Sequence, residues 1–185
     1  MKKVLRLFLC IILLIGLCSC KKEDKKIDEN NDAVIFKEEY ESLNGKEDYV
    51  KVSIKDNNYF IYVDSDKLSN LLNASAFIFI GSATDNESRN IVNVLDYVNS
   101  SSIYYIDIDD VNDEVKSILN NNGISLDKPT VIGVLNGEII KYQEGTGHDT
   151  KELTEDEKSE LKLIYDDINA KVSGDACDID AQGDC

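Results

Sequence analysis

The sequence predicts an α/β fold, a central mixed sheet with helices on its faces, and three features of its patterning carry that reading. Short apolar runs alternate with amphipathic stretches of helical period up to about residue 123. An Asn136-Gly137 pair then joins two apolar runs directly, and a last helical pattern follows over residues 154–172. Strand and helix in alternation build parallel strands by crossover, whereas a two-residue turn joins only antiparallel ones, so the sheet must be mixed.

The elements follow in order. "YVKVSIKDNNYFIYV" alternates in each half around Asp56, Asn57 and Asn58 and reads as two short strands and a turn. Asp64 and Ser65 can cap a helix over "DKLSNLLN", with Leu68, Leu71 and Leu72 on one side. "SAFIFIG" is nearly continuous in apolar residues, as a strand covered on both faces should be. A polar turn, Ser82 to Ser88, opens into the helix "NESRNIVNVLDYV", whose Ile91, Val92, Leu95 and Val98 form a stripe. "SIYYIDID" is a further strand. "DVNDEVKSILNNNG" is a helix with Val111, Val115, Ile118 and Leu119 inward and Gly123 at its C-cap. In "PTVIGVLNGEIIKYQEG" the Asn136-Gly137 pair marks a hairpin, because both turn residues must take positive φ. "TEDEKSELKLIYDDINAKV" opens with Thr154 three residues before Glu157, the spacing of a capping box, and carries Leu161, Ile164, Tyr165 and Ile168 at helical intervals.

The ends bound the compartment. Lys2, Lys3 and Arg6 precede an apolar run from Leu7 to Leu17, of secretory-signal length and short for a bilayer span, so residues 1–19 are expected to be a signal peptide. The run closes in Leu17-Cys18-Ser19-Cys20, which resembles a bacterial lipobox. That resemblance implies lipidation of Cys20, with small Ser19 before the cleavage point, and hence a membrane anchor facing outward. Loss of residues 1–19 removes three cations and no anion, taking the net charge from −16 to −19. Such a surface repels phosphate backbones and anionic headgroups, which argues against a nucleic-acid partner and against lipid contact beyond the anchor. Residues 20–34, charged and nearly free of large apolar side chains, read as a flexible tether. Residues 35–172 are of the size for one domain, and 173–185 form an acidic tail with Cys177 and Cys185.

The element order, the turn after "FIFIG", the only proline at the start of the hairpin and the closing helix together resemble a thioredoxin-like fold. Within that superfamily the likeness is to secreted thioredoxin-like lipoproteins and bacteriocin-transport accessory proteins of Gram-positive bacteria. Their turn commonly reads Phe-Gly-Phe-Pro-Thr-Cys-Pro-Trp-Cys-Arg-Asn. Here Gly81, Thr84, Arg89 and Asn90 match, and "EEYESLNG", residues 38–45, resembles their N-terminal segment. The resemblance implies a three-layer fold, a cis peptide bond between Lys128 and Pro129, and a loop there that contacts bound polypeptide. It also puts Asp85 and Ser88 where the family has its attacking and resolving cysteines. Thiol–disulfide exchange needs a thiolate and a second thiol, so the family's redox chemistry does not carry over to these two residues.

The remaining candidates each have two readings. Asp85 and Glu87 suit a helix N-terminus, as caps or as a carboxylate site for a ligand or metal; capping is the reading adopted. Cys177 and Cys185, with seven residues between them and flanked by Asp175, Asp178, Asp180 and Asp184, are either a structural disulfide or a mobile redox pair. The bridge is preferred, because the carboxylates lower the thiolate fraction. Asp178, Asp180 and Gln182 with Gly183 partly match a calcium loop that lacks its closing glutamate, and no metal is assigned. His148, the only histidine, reads as a loop residue on the surface, and Tyr104 and Tyr105 as core and sheet-face residues. The expected function is therefore a noncatalytic accessory module that holds an extracytoplasmic polypeptide, without cofactor. Its rival is a thiol-disulfide oxidoreductase working through Cys177 and Cys185.

Overall fold

The computed structural model describes residues 29–55, 60–148 and 152–174. Helix α1, Glu29–Glu41, begins inside the stretch read as tether. It has no apolar stripe to announce it: Phe36 and Tyr40, one turn apart, are its buried aromatics, while Val34 and Ile35 stay exposed. There follow β1 (Phe60–Tyr62), α2 (Ser65–Leu71), β2 (Ala76–Gly81), α3 (Asn86–Leu95) and β3 (Ile103–Asp107). A 3-10 turn at Ile108–Asp110 leads to α4 (Asp113–Asn121), the hairpin β4 (Thr130–Leu135) and β5 (Glu138–Glu144), and α5 (Glu155–Ser173).

The five strands form one sheet in the order β1-β3-β2-β4-β5. β3 runs parallel to both β1 and β2, Phe60 opposite Ile103 and Ile78 opposite Tyr104. β4 lies antiparallel to β2, Ile78 opposite Ile132, and β5 antiparallel to β4 with a register shift at Gly133 and Val134. Asn136 (φ 53°) and Gly137 (φ 84°) make the hairpin turn with both residues in the left-handed region. The mixed sheet read from the sequence is therefore present.

Because successive strand residues point to opposite faces, β2 feeds two cores. Phe77 and Phe79 face α1, α3 and α5, meeting Phe36, Ile91, Leu95, Leu161 and Tyr165. Ala76, Ile78 and Ile80 face α2 and α4, meeting Leu68, Val115 and Leu119. A side chain at Gly133 of β4 would put its Cβ 2.6 Å from Ile168 Cγ2, so α5 lies close on the sheet there.

Three expectations need correction. Residues 50–55 alternate as read, with Val50, Val52 and Ile54 buried, but they join no ladder, and β1 pairs with β3 instead. No peptide bond among the described residues is cis, so Lys128–Pro129 is trans. Pro129 presents its carbonyl to the Gly145 N–H at 2.7 Å, which fixes the loop by an ordinary hydrogen bond. The tether read over residues 20–34 is helical from Glu29. Residues 1–28 and 175–185 lie outside the described residues, and with them Cys20, Cys177, Cys185 and the partial calcium loop. Among the described residues no helix is long and apolar enough to cross a membrane.

Candidate functional site

Asp85 is the N-cap of α3, in extended backbone, and its Oδ2 accepts from the Ser88 N–H at 2.7 Å and the Ser88 hydroxyl at 2.8 Å. The Ser88 Oγ in turn accepts from the Ser82 N–H at 2.9 Å. The two positions that the resemblance equates with cysteines do meet, but as a closed cap: Ser88 is buried, and its oxygen is engaged on both sides. The base on the Ser88 hydroxyl is the Asp85 carboxylate, which is committed to the cap, while His148 Nδ1 lies 3.1 Å from Glu157 Oε1. Every cysteine of the chain lies outside residues 29–174, so the described domain holds no thiol.

Glu87 faces the loop after β5. Its Oε1 accepts from the Thr146 N–H and hydroxyl, both at 3.3 Å, and a Cβ at Gly145 (φ +60°) would fall 2.9 Å from that oxygen. Gly145 thus serves both a left-handed turn and a close approach. The Glu87 charge reaches Tyr165, whose phenol is pushed far above its ordinary pKa first by burial and then by that carboxylate. The α3 turn, Pro129 and residues 145–148 therefore converge at one end of the sheet. Leu126, just before Pro129, is held at φ 57°, a conformation that leucine adopts only under strain. Among the described residues, no group of three His, Cys, Asp or Glu is placed to hold a metal ion.

Behind the turn sits a residue that the sequence marked only through the resemblance. Arg89 is fully buried. Its Nε donates to Val50 O at 2.6 Å, Nη1 to Tyr40 O at 2.8 Å and Ala83 O at 3.0 Å, and Nη2 to Asn44 Oδ1 at 2.9 Å. Burial lowers its pKa, since its acceptors here are amide oxygens and not a carboxylate. Arg89 and Asn44, the latter within "EEYESLNG", are thus brought together although 45 residues apart.

The same arrangement explains how residues 50–55 remain extended without a ladder. Asn44 gives Nδ2 to Val52 O and takes the Val52 N–H on Oδ1. Asn86 does the same for Asp48 O and the Val50 N–H, and Asn93 for Lys51 O and the Ser53 N–H. Glu41 and Asp96 accept from the Ile54 and Lys55 N–H groups. Side-chain amides replace a neighbouring strand, which satisfies the backbone as a ladder would. Asn86 and Asn93, seven apart on one helix and therefore on one face, were the available sequence signal.

His148 lies in a loop, as read, but is half-buried there and not on the open surface. Its backbone is tied to Thr146, and Glu157 beside it is held below the usual carboxylate range, first by the Thr154 backbone and side-chain hydrogen bonds and then by His148. Tyr105 is buried in the sheet, and Tyr104 lies on the opposite face with Lys67 5.7 Å from its ring. No protein-family model matches the chain, and no curated protein matches it in sequence.

Proposed function

We propose that the chain is an extracytoplasmic thioredoxin-like lipoprotein, anchored through Cys20, that binds a polypeptide beside Pro129 and performs no disulfide chemistry at its α3 turn. The strand order β1-β3-β2-β4-β5, with α1, α3 and α5 on one face and α2 and α4 on the other, supports the thioredoxin-like assignment. The observation that carries the functional reading is the Asp85–Ser88 hydrogen bond, 2.8 Å long, in place of a dithiol. The exposed groups at that end, Thr84, Asp127 and Lys128, offer a partner a surface rather than a reacting atom. Eight residues lie between Cys20 and Glu29. A lipidated cysteine would therefore keep the start of α1 within about 30 Å of the membrane.

The test uses the full-length chain in detergent. Insulin reduction is expected to stay at background. Reduced and carboxymethylated lactalbumin, an unfolded probe, is expected to slow amide exchange at residues 82–85 and 127–130. Insulin turnover that disappears in Cys185→Ser would overturn the reading in favour of an oxidoreductase working through Cys177 and Cys185.

A further inference from the structure

At the end of the sheet away from Pro129, a cavity of about 380 Å³ lies between the ends of α2 and α4 and the hairpin turn. Its apolar wall is the margin of the second core: Leu72 is buried there, and Ile118 and Ile139 are partly buried beside it. Leu72 is the C-cap of α2 and Asn122 that of α4, so both helices end at the cavity, and neither has a basic residue in its last turn. The hairpin wall is fixed, because the Gly137 N–H donates to Ala74 O at 2.8 Å and the Asn136 N–H to Ser75 Oγ at 3.0 Å.

The polar rim is built of acceptors. Asn73 Nδ2 donates to Ser69 O at 2.8 Å and Asn122 Nδ2 to Ile118 O at 2.9 Å, which leaves each amide oxygen able to accept. Glu138 adds an exposed carboxylate that makes no ion pair among the described residues. No lysine or arginine lines the cavity; Lys67 and Lys116 stand in earlier turns of the two helices.

We propose that this cavity binds a small aliphatic ammonium ion, its alkyl chain on Leu72, Ile118 and Ile139 and its ammonium donating to Glu138 and to the Asn73 and Asn122 side-chain oxygens. An ammonium carries three donors and no acceptor, which suits a rim of three accepting groups. The negative end of the α4 dipole and the Glu138 carboxylate both favour a cation and repel an anion. The volume is near the lower limit of about 300 Å³ for ligand pockets, so a chain of a few carbons fills the apolar part.

The test is an amide chemical-shift titration of the full-length chain, in a zwitterionic detergent, with n-butylammonium chloride and with 1-butanol, its neutral counterpart of equal size. Saturable shifts at residues 73, 122, 137 and 138 are expected for the ammonium, with a dissociation constant of about 1–10 mM for so small a ligand. Binding should be severalfold tighter than for 1-butanol and about threefold tighter than for n-propylammonium, which has one methylene fewer on the apolar wall. Glu138→Gln should weaken it about fivefold, and Glu138→Lys, which brings its own ammonium, should abolish it. Glu138 is exposed, so both variants should keep the wild-type thermal midpoint. Equal binding of 1-butanol, undiminished binding by Glu138→Gln, or shifts that do not saturate would overturn the proposal. Nα-acetyl-lysine methylamide binding tenfold more tightly than n-butylammonium would assign the cavity to a lysine of a polypeptide and likewise overturn it. Residues 82–85 and 127–130 should not shift, so this proposal and the one for the Pro129 site can fail separately.

Discussion

Replacing Arg89 by methionine keeps much of the side-chain volume and removes the charge and every donor. Three backbone carbonyls, those of Val50, Tyr40 and Ala83, lose their partner in a buried setting. Each unsatisfied acceptor costs about 1–3 kcal/mol, offset in part because burying the guanidinium is itself unfavourable. Asn44 Oδ1 keeps the Val52 N–H at 2.8 Å and adds little to the loss. The expected net destabilisation is about 4 kcal/mol. With a urea m-value of about 2 kcal/mol/M, the midpoint falls by about 2 M. Arg89→Lys should recover little, because one ammonium group cannot reach acceptors that a planar fork spans in three directions. Amide exchange should accelerate in residues 82–85, since Ala83 O is one of the groups released, and in residues 50–55. A loss below about 1 kcal/mol for methionine, or near-complete rescue by lysine, would refute the claim that this residue ties α1, residues 50–55 and the α3 turn together.

At the cap, Asp85→Ala removes the acceptor for the Ser88 N–H and hydroxyl and should cost about 1–2 kcal/mol, whereas Asp85→Asn keeps an oxygen there and should cost a few tenths. Equal losses measured by urea unfolding would mean that charge, not hydrogen bonding, is what the position supplies. The Glu39 pKa is raised by burial first and then by Asp107 and Asp110, so its folded form binds a proton more tightly than the unfolded chain does. It therefore opposes folding at neutral pH, and the penalty is relieved as pH falls through the raised value. Glu39→Gln should raise the thermal midpoint at pH 7 and lose that advantage near pH 4, in scans at matched ionic strength; a gain independent of pH would contradict the assignment.

Legibility in the sequence followed how local the determining interactions are. The hairpin needed only Asn136-Gly137, and α5 only Thr154 with Glu157, whose reciprocal bonds are both present. The two cores were legible because β2 alternates and the helices carry apolar stripes. Helix α1 was not, because it buries Phe36 and Tyr40 beneath a mostly polar surface and draws its stability from partners such as Phe60 and Tyr105, more than 20 residues away in sequence. The extended segment was seen and misassigned. Its alternation is real, but period two reports which residues are buried and not which groups bond the backbone. Asn44, Asn86 and Asn93 supply those bonds across separations of 8 to 42 residues.

The α3 turn gathers the residue types of an active centre and uses them up internally. Asp85 holds the Ser88 N–H and hydroxyl, Ser88 holds the Ser82 N–H, Glu87 holds Thr146, and Arg89 holds Ala83 from behind. A catalytic acid, base or nucleophile needs an unspent lone pair or proton within reach of substrate. At Ser88, burial withdraws even the shared one. These bonds instead hold the backbone of residues 81–88 beside the Pro129 loop. Rigidity of this kind would lower the ordering cost of receiving a partner, as the proposed binding role requires, and supplies no reacting group of its own.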